Sequence, residues 1–165
     1  MVYNYINSGK DRQALEYINK SIELYRKNGE KYRVAVVMQN KVTSYLHLEE
    51  PKKALNAANE LIQTIKDNDG QTNVTTDNYY LGQALFTRAK VYMQLGQYPK
   101  ALSDNDSLQV LLGNKGTALV DAVYIFQKAK ILHYTQQYKA SKDICLELLA
   151  PVSYTHLTLP TICSV

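Results

Sequence analysis

The chain has 165 residues, 45% of them hydrophobic, enough for one domain or a short repeat array with a sizeable core. Only 7 Gly and 4 Pro argue against a turn-rich β architecture, and no apolar run approaches the roughly 20 residues needed to span a bilayer. The 19 basic and 15 acidic residues leave a mild, scattered net charge of +4, and the longest basic run, Lys52-Lys53, is no stripe for nucleic acid.

Apolar residues recurring with a period near 3.6 predict helices over 1–8, 11–27, 30–48, 51–67, 77–95, 98–113, 117–135 and 138–150. Asn28-Gly29 and Asn68-Asp69-Gly70 read as helix stops, because Asn and Gly tolerate the left-handed conformation that closes a helix. Residues 70–76 are polar and predict a loop, with Thr76 or Asp77 capping the next helix. Asn114-Lys115-Gly116 ends the sixth predicted helix, and Thr117 is placed to cap the seventh.

Four segments align on one another: those starting at Met1, Lys41, Arg88 and Lys128, offset by 40, 47 and 40 residues. In each, a small or slim residue (Val2, Val42, Ala89, Ala129) stands three positions before a large one (Tyr5, Tyr45, Tyr92, Leu132), on the same helix face. A turn marked by Gly9, Pro51 or Gly96 follows, and then a small residue (Ala14, Ala54, Ala101, Ser141) that lets two antiparallel helices approach closely. Tyr98 and Tyr138, at the turns, are expected to fill the space between the helices.

The run Leu95-Gly96-Gln97-Tyr98-Pro99-Lys100-Ala101-Leu102 resembles the Gly-x-Tyr-x-x-Ala-Leu core of tetratricopeptide (TPR) repeats, and Gly9 to Leu24 fit the same second-helix pattern. The resemblance extends over nearly all of residues 1–150. These units exceed the family's 34 residues, and the glycine of the family's first helix is Val or Ala here. It implies an all-α, right-handed solenoid of antiparallel helix pairs, with units of about 1–29, 30–70, 76–115 and 117–150. The long repeats, rich in Tyr and Lys, look like those of bacterial signalling regulators.

Both ends depart from this pattern. Met1 to Ile6 align with only the second half of a first helix, so the first unit is expected to be truncated; they show no charged n-region of a signal peptide. The ten residues Val152 to Thr161 resemble one reading frame of a transposase sequencing adapter. Residues 151–165 are therefore expected to be a non-native, unstructured tail in which His156 and Cys163 have no role. Frayed ends predict a tendency to self-associate.

No catalytic or cofactor motif is present, and no enzyme activity is expected. The two cysteines, Cys145 and Cys163, suggest neither a disulfide framework nor a metal site. Asp67-Asn68-Asp69-Gly70 and Asp104-Asn105-Asp106-Ser107 lack the later Gly and Glu of a calcium loop and read as solvated helix ends. Cys145 reads as a packed core thiol. The compartment is left open by the sequence, the lack of a disulfide set being compatible with cytoplasm.

The expected partner is a protein or peptide, held on the concave face that the first helices of the units line. The candidate residues there are Asn40, Thr43 and His47 in the second unit. In the third they are Phe86, Thr87, Lys90 and Gln94, and in the fourth Phe126, Gln127, Lys130 and Tyr134. Phe86 with Lys90 and Phe126 with Lys130 recur at one register, four apart, placing an aromatic ring and a cation on one helix face. Against this stands the plainer possibility that the phenylalanines pack between neighbouring helices.

Overall fold

The computed structural model describes residues 10–67, 74–112 and 118–149. They form seven α-helices: α1 (Asp11–Lys27), α2 (Lys31–His47), α3 (Pro51–Lys66), α4 (Val74–Gln94), α5 (Tyr98–Leu112), α6 (Ala118–Tyr134) and α7 (Tyr138–Leu149), with no strand among the described residues. The expectations for helix 1–8, the stop at Asn68–Gly70, the cap at Thr117 and the tail 151–165 fall outside the described residues. The chain divides into two compact units, residues 1–112 and 113–165.

In the first unit each helix packs against the next, and α2 also touches α4. The buried positions explain the pairing. Along α3, Ala54, Ala57, Ala58, Leu61, Ile62 and Ile65 are buried, a stripe with intervals of three and four. Burying one of the larger of these side chains stabilises by about 1.5–3 kcal/mol relative to leaving it in water. Small residues hold the centre: Val42, Ala54, Ala57, Ala58 and Val91 form a cluster, with Tyr45, Leu46, Leu55 and Leu95 packed around it. The sites singled out as small, Ala14, Val42, Ala54, Ala89 and Ala101, are each 0% exposed. With no bulk beyond Cβ or a short fork, they let the helix backbones come together.

The turns share one hydrogen-bond pattern. After α1, the N–H of Gly29 donates to the Arg26 carbonyl and that of Glu30 to the Tyr25 carbonyl. The same pair recurs at Glu49 and Glu50, at Gly96 and Gln97, and at Gln136 and Gln137, the last in the second unit. Each is a Schellman closure, which needs a residue in the left-handed region. Gly29 and Gly96 take it at φ 71° and 70°, and nothing lies within 4 Å of where a Cβ would stand, so their role is conformational freedom, not space. Glu49 and Gln136 adopt the same conformation at φ 56° and 62° with a side chain. The residue after each also starts the next helix: the carbonyls of Glu30, Glu50, Gln97 and Gln137 accept from Val34, Ala54, Ala101 and Ser141. One residue thus ends one helix and opens the next, and hairpins follow with no spare chain.

In the second unit α6 packs against α7. Ala129, Ile131 and Leu132 are buried. Ser141, at the small-residue site, donates from Oγ to the Ala129 carbonyl at 2.8 Å, so a hydroxyl replaces the methyl without leaving a polar group unsatisfied.

Some local expectations differ from the structure. α4 begins at Val74, so Thr76 and Asp77 lie inside its first turn and do not cap it. Contacts to α2 support the first two turns: Asp77 lies 3.4 Å from the Lys31 ammonium, and Tyr80 stacks on Tyr32 with ring centroids 5.0 Å apart. Asp104 is buried, not solvated, because it pairs with Arg88. Tyr138 is 57% exposed and meets His133 edge-on, so it does not fill the inter-helix space. Cys145 is in no disulfide and is half-buried, not deep in the core.

Candidate interaction faces

α2 and α4 are the first helices of successive hairpins, and they lie side by side. α2 spends Val34, Ala35, Met38, Val42 and Ser44 on the core. That leaves the side bearing Val36, Asn40, Thr43 and His47, at intervals of three and four, uncovered or half-covered. On α4 the spacing Tyr79, Gln83, Phe86, Lys90 and Gln94 marks the matching side.

Amide side chains join these two rows. Gln39 donates from Nε2 to Gln83 Oε1 at 3.3 Å and to Thr87 Oγ1 at 3.1 Å. Gln83 donates to the Tyr79 hydroxyl at 3.3 Å, and Gln94 reaches the Leu46 carbonyl at the end of α2 at 3.5 Å. The Lys90 ammonium stands 4.2 Å from the Phe86 ring centroid, inside the range of a cation–π contact, so the aromatic–cation pair drawn from the spacing is formed. His47 is exposed, and its Nδ1 lies 3.2 Å from Oδ1 of the buried Asp11 on α1. Thr43 is turned back on its own helix, its hydroxyl donating to the Gln39 carbonyl.

Thr87 does not belong to the accessible row. It is buried at 4% exposure, because its hydroxyl is enclosed where α2 and α4 meet, donating to the Gln83 carbonyl while accepting from Gln39. Gln39, Gln83, Val36 and Tyr79 were not singled out by sequence. Only the packing of α2 on α4 reveals that they share a side. The signal available was Val36 and Tyr79, large apolar residues outside the core stripe of their helices, and they are 45% and 49% exposed.

Behind this side, Arg88 points the other way. Its Nε and an Nη donate to the two carboxylate oxygens of Asp104 on α5 at 2.8 and 2.7 Å, and its other Nη donates to Asn59 Oδ1 on α3 at 3.0 Å. The Asp104 carboxylate holds the guanidinium pKa above its ordinary value, against the opposing effect of burial. One side chain thus ties α3, α4 and α5 together and fixes the rotation of α4.

In the second unit, α6 presents Val123, Phe126, Lys130 and Tyr134 along one side. Val123, Phe126 and Tyr134 are 46%, 45% and 50% exposed. Gln127, expected in this row, is buried at 5% exposure, because it falls on the stripe that packs inward with Tyr124 and Ile131. His133 meets the rings of Tyr134 and Tyr138 edge-on, at 6.1 and 5.2 Å, extending an aromatic patch to the start of α7.

Two crystal structures with similar folds come from a Podosopora anserina protein described as a putative kinesin light chain with nearly identical TPR-like repeats. One, a form with a single substitution, matches with a TM-score of 0.76 at 11% identity, over 94% of this chain and 73% of that one. The other matches with the same TM-score at 10% identity, over 95% and 74%. The fold is TPR-like. No protein-family model matches the sequence. No curated protein matches it either. The TPR-like hairpins were thus identified from small and large residues in register, and the structure bears them out, at an identity to the solved chains that speaks for the fold alone. Among the described residues there is no group of three His, Cys, Asp or Glu side chains able to hold a metal ion, and no helix is long and apolar enough to cross a membrane.

Proposed function

We propose that this chain is a protein-interaction scaffold that holds peptide segments on the open sides of its first helices, without catalysis of its own. The observation that carries this reading is the α2–α4 side, where Gln39 and Gln83 form an amide network among exposed Val36, Tyr79, Lys90 and Gln94. Primary amides both donate and accept, which suits the peptide groups of an extended chain, and the aromatic and aliphatic surface beside them suits its side chains. Asn40, Thr43 and His47 extend this face on α2, and Phe126, Lys130 and Tyr134 form a second one on α6.

The test is selection of binders from a random peptide library displayed on phage against the immobilised full chain. Selected peptides are expected to slow amide hydrogen exchange in α2 and α4, and to lose affinity when Gln39 and Gln83 are both changed to Ala. Unaltered affinity in that variant, with helicity intact, rejects the assignment of the face.

As a biological setting, we place this scaffold in the sensing or dimerising region of a larger bacterial regulator, by analogy of its long Tyr- and Lys-rich repeats. The test is the complete gene: a histidine kinase or helix-turn-helix output segment in the same reading frame is expected. Catalytic or secretion motifs there would instead make this a helical accessory domain of an enzyme or secretion component.

A further inference from the structure

The turn between α1 and α2 differs in chemistry from the other three that share its hydrogen-bond pattern. Asn28-Gly29 is the chain's one Asn-Gly pair. At the same place in the other turns Glu49 follows Leu48, Gly96 follows Leu95 and Gln136 follows Thr135. Gly29 stands at φ 71° with nothing within 4 Å of where a Cβ would be, so neither a side chain of its own nor a neighbour shields that flank of its amide nitrogen. Arg26, Lys27, Asn28 and Gly29 are all exposed to water. The Asn28 carboxamide is turned forward along the chain, its Nδ2 donating to Glu30 Oε1 at 3.3 Å.

We propose that Asn28 is a site of spontaneous, one-way deamidation that loosens the first hairpin as the chain ages. The Gly29 amide nitrogen gives up its proton and bonds to Asn28 Cγ. The Cγ–Nδ2 bond breaks, Nδ2 leaves as ammonia with that proton, and a five-membered succinimide remains. Water then opens the ring. Opening at Cγ gives aspartate, and opening at the Asn28 backbone carbonyl gives isoaspartate, through whose Cβ and Cγ the main chain now runs. Ring closure requires rotation of Asn28 from its ψ of 0°, since the Gly29 nitrogen must swing towards Cγ. The bonds from Gly29 to the Arg26 carbonyl at 3.1 Å and from Glu30 to the Tyr25 carbonyl at 2.9 Å must therefore open first. An exposed turn opens by local fluctuation, far more often than the helices unfold. The other described asparagines, Asn19, Asn40, Asn56, Asn59, Asn78 and Asn105, lie inside helices, and each precedes a residue with a side chain. There the helical ladder holds the attacking nitrogen. Isoaspartate adds one carbon to the backbone, about 1.5 Å of chain. Hydrogen bonds form within a window of about 2.7–3.2 Å, so both closing bonds are lost in that product. The new carboxylate also lies at the C-terminal, negative end of α1 and beside Glu30.

The test ages the full chain at neutral and at mildly alkaline pH, beside the same chain unfolded in urea, and maps its peptides by mass. The mass gain of exchanging NH2 for OH is expected at Asn28 in the folded chain, and sooner at the higher pH. In urea, where the turn is open, it is expected about 3- to 30-fold faster. An isoaspartyl methyltransferase should place more methyl groups on the aged chain than on Asn28→Gln aged beside it, with helicity equal in the two. Amide exchange in the aged chain should quicken at Gly29, at Glu30 and in the first turn of α2, and stay unchanged at the Gly96 turn. Modification of Asn28 confined to the unfolded chain overturns the proposal, as does product spread evenly over the helical asparagines of the folded one. Unchanged exchange at Glu30 in the isoaspartate form overturns the loosening of the hairpin.

Discussion

Replacing Arg88 by Met is expected to destabilise the first unit by about 2–4 kcal/mol. The side chain of Arg88 is 22% exposed and that of Asp104 only 8%, so removing the guanidinium leaves a carboxylate facing low-dielectric surroundings with both of its short hydrogen bonds lost. Breaking a fully buried pair from one side costs about 3–5 kcal/mol, and the partial exposure of Arg88 brings the figure down. The bond to Asn59 and the stacking on Tyr92, 5.6 Å from the guanidinium carbon, go at the same time. With a urea slope of about 1.5–2 kcal/mol/M, the midpoint should fall by about 1–2.7 M. Asp104→Leu in the Arg88→Met background should restore much of the loss, because a hydrophobic pair of similar volume removes the stranded charge. The assay is a double-mutant cycle by urea unfolding, read by circular dichroism. The raised guanidinium pKa means that the proton is held more tightly in the folded chain than in the unfolded one. The guanidinium's part of the pair's contribution is therefore fully present below the unfolded arginine pKa and is lost as pH rises through the folded one in strong alkali, so the cycle should give one answer at pH 6 and pH 9, both far below the arginine range. A cost below about 1 kcal/mol for Arg88→Met, or a coupling below about 0.5 kcal/mol, would refute the staple.

The left-handed turns make the opposite kind of prediction. Glu49→Gly and Gln136→Gly should each stabilise by about 0.5 kcal/mol, the relief of a left-handed Cβ less the added freedom of the unfolded chain, while Gly29→Ala and Gly96→Ala should cost about 1 kcal/mol, all read as shifts in thermal midpoint. A Gly96→Ala variant that melts no lower than the parent would remove the conformational argument. At the close helix contacts, Ala54→Leu and Ala101→Leu should each cost about 1–3 kcal/mol by overpacking, whereas Ser141→Ala should cost about 1 kcal/mol or less, since the Ala129 carbonyl keeps its place in the helix. Tolerance of Leu at both alanine sites, measured by urea unfolding, would contradict the nesting of small residues.

Helix order, the hairpin turns and the close-contact sites are decided locally, and the sequence by itself determined them. A stripe such as Ala54, Ala57, Ala58, Leu61, Ile62, Ile65 is a property of one helix, and a 3.6 period projects onto one side whatever it packs against. The left-handed closure at Asn28-Gly29 and Gly96 is likewise written in adjacent residues. The same locality did not show the left-handed conformation within the turns at Glu49 and Gln136, where it is imposed on residues that do not ask for it. The Phe86–Lys90 pair was readable because its partners are four apart on one helix.

What lies between helices was decided only by the tertiary structure. Lys31 with Asp77, Tyr32 with Tyr80, Gln39 with Gln83 and Thr87, and Arg88 with Asp104 are matched across 16 to 48 positions of sequence, with no spacing rule to connect them. These contacts lengthened α4 to Val74, took Thr87 off the open side and turned Arg88 inward. The reason is rotation: periodicity says that a helix has a buried side, but the neighbours set its angle to within the one residue that separates an exposed Phe126 from a buried Gln127.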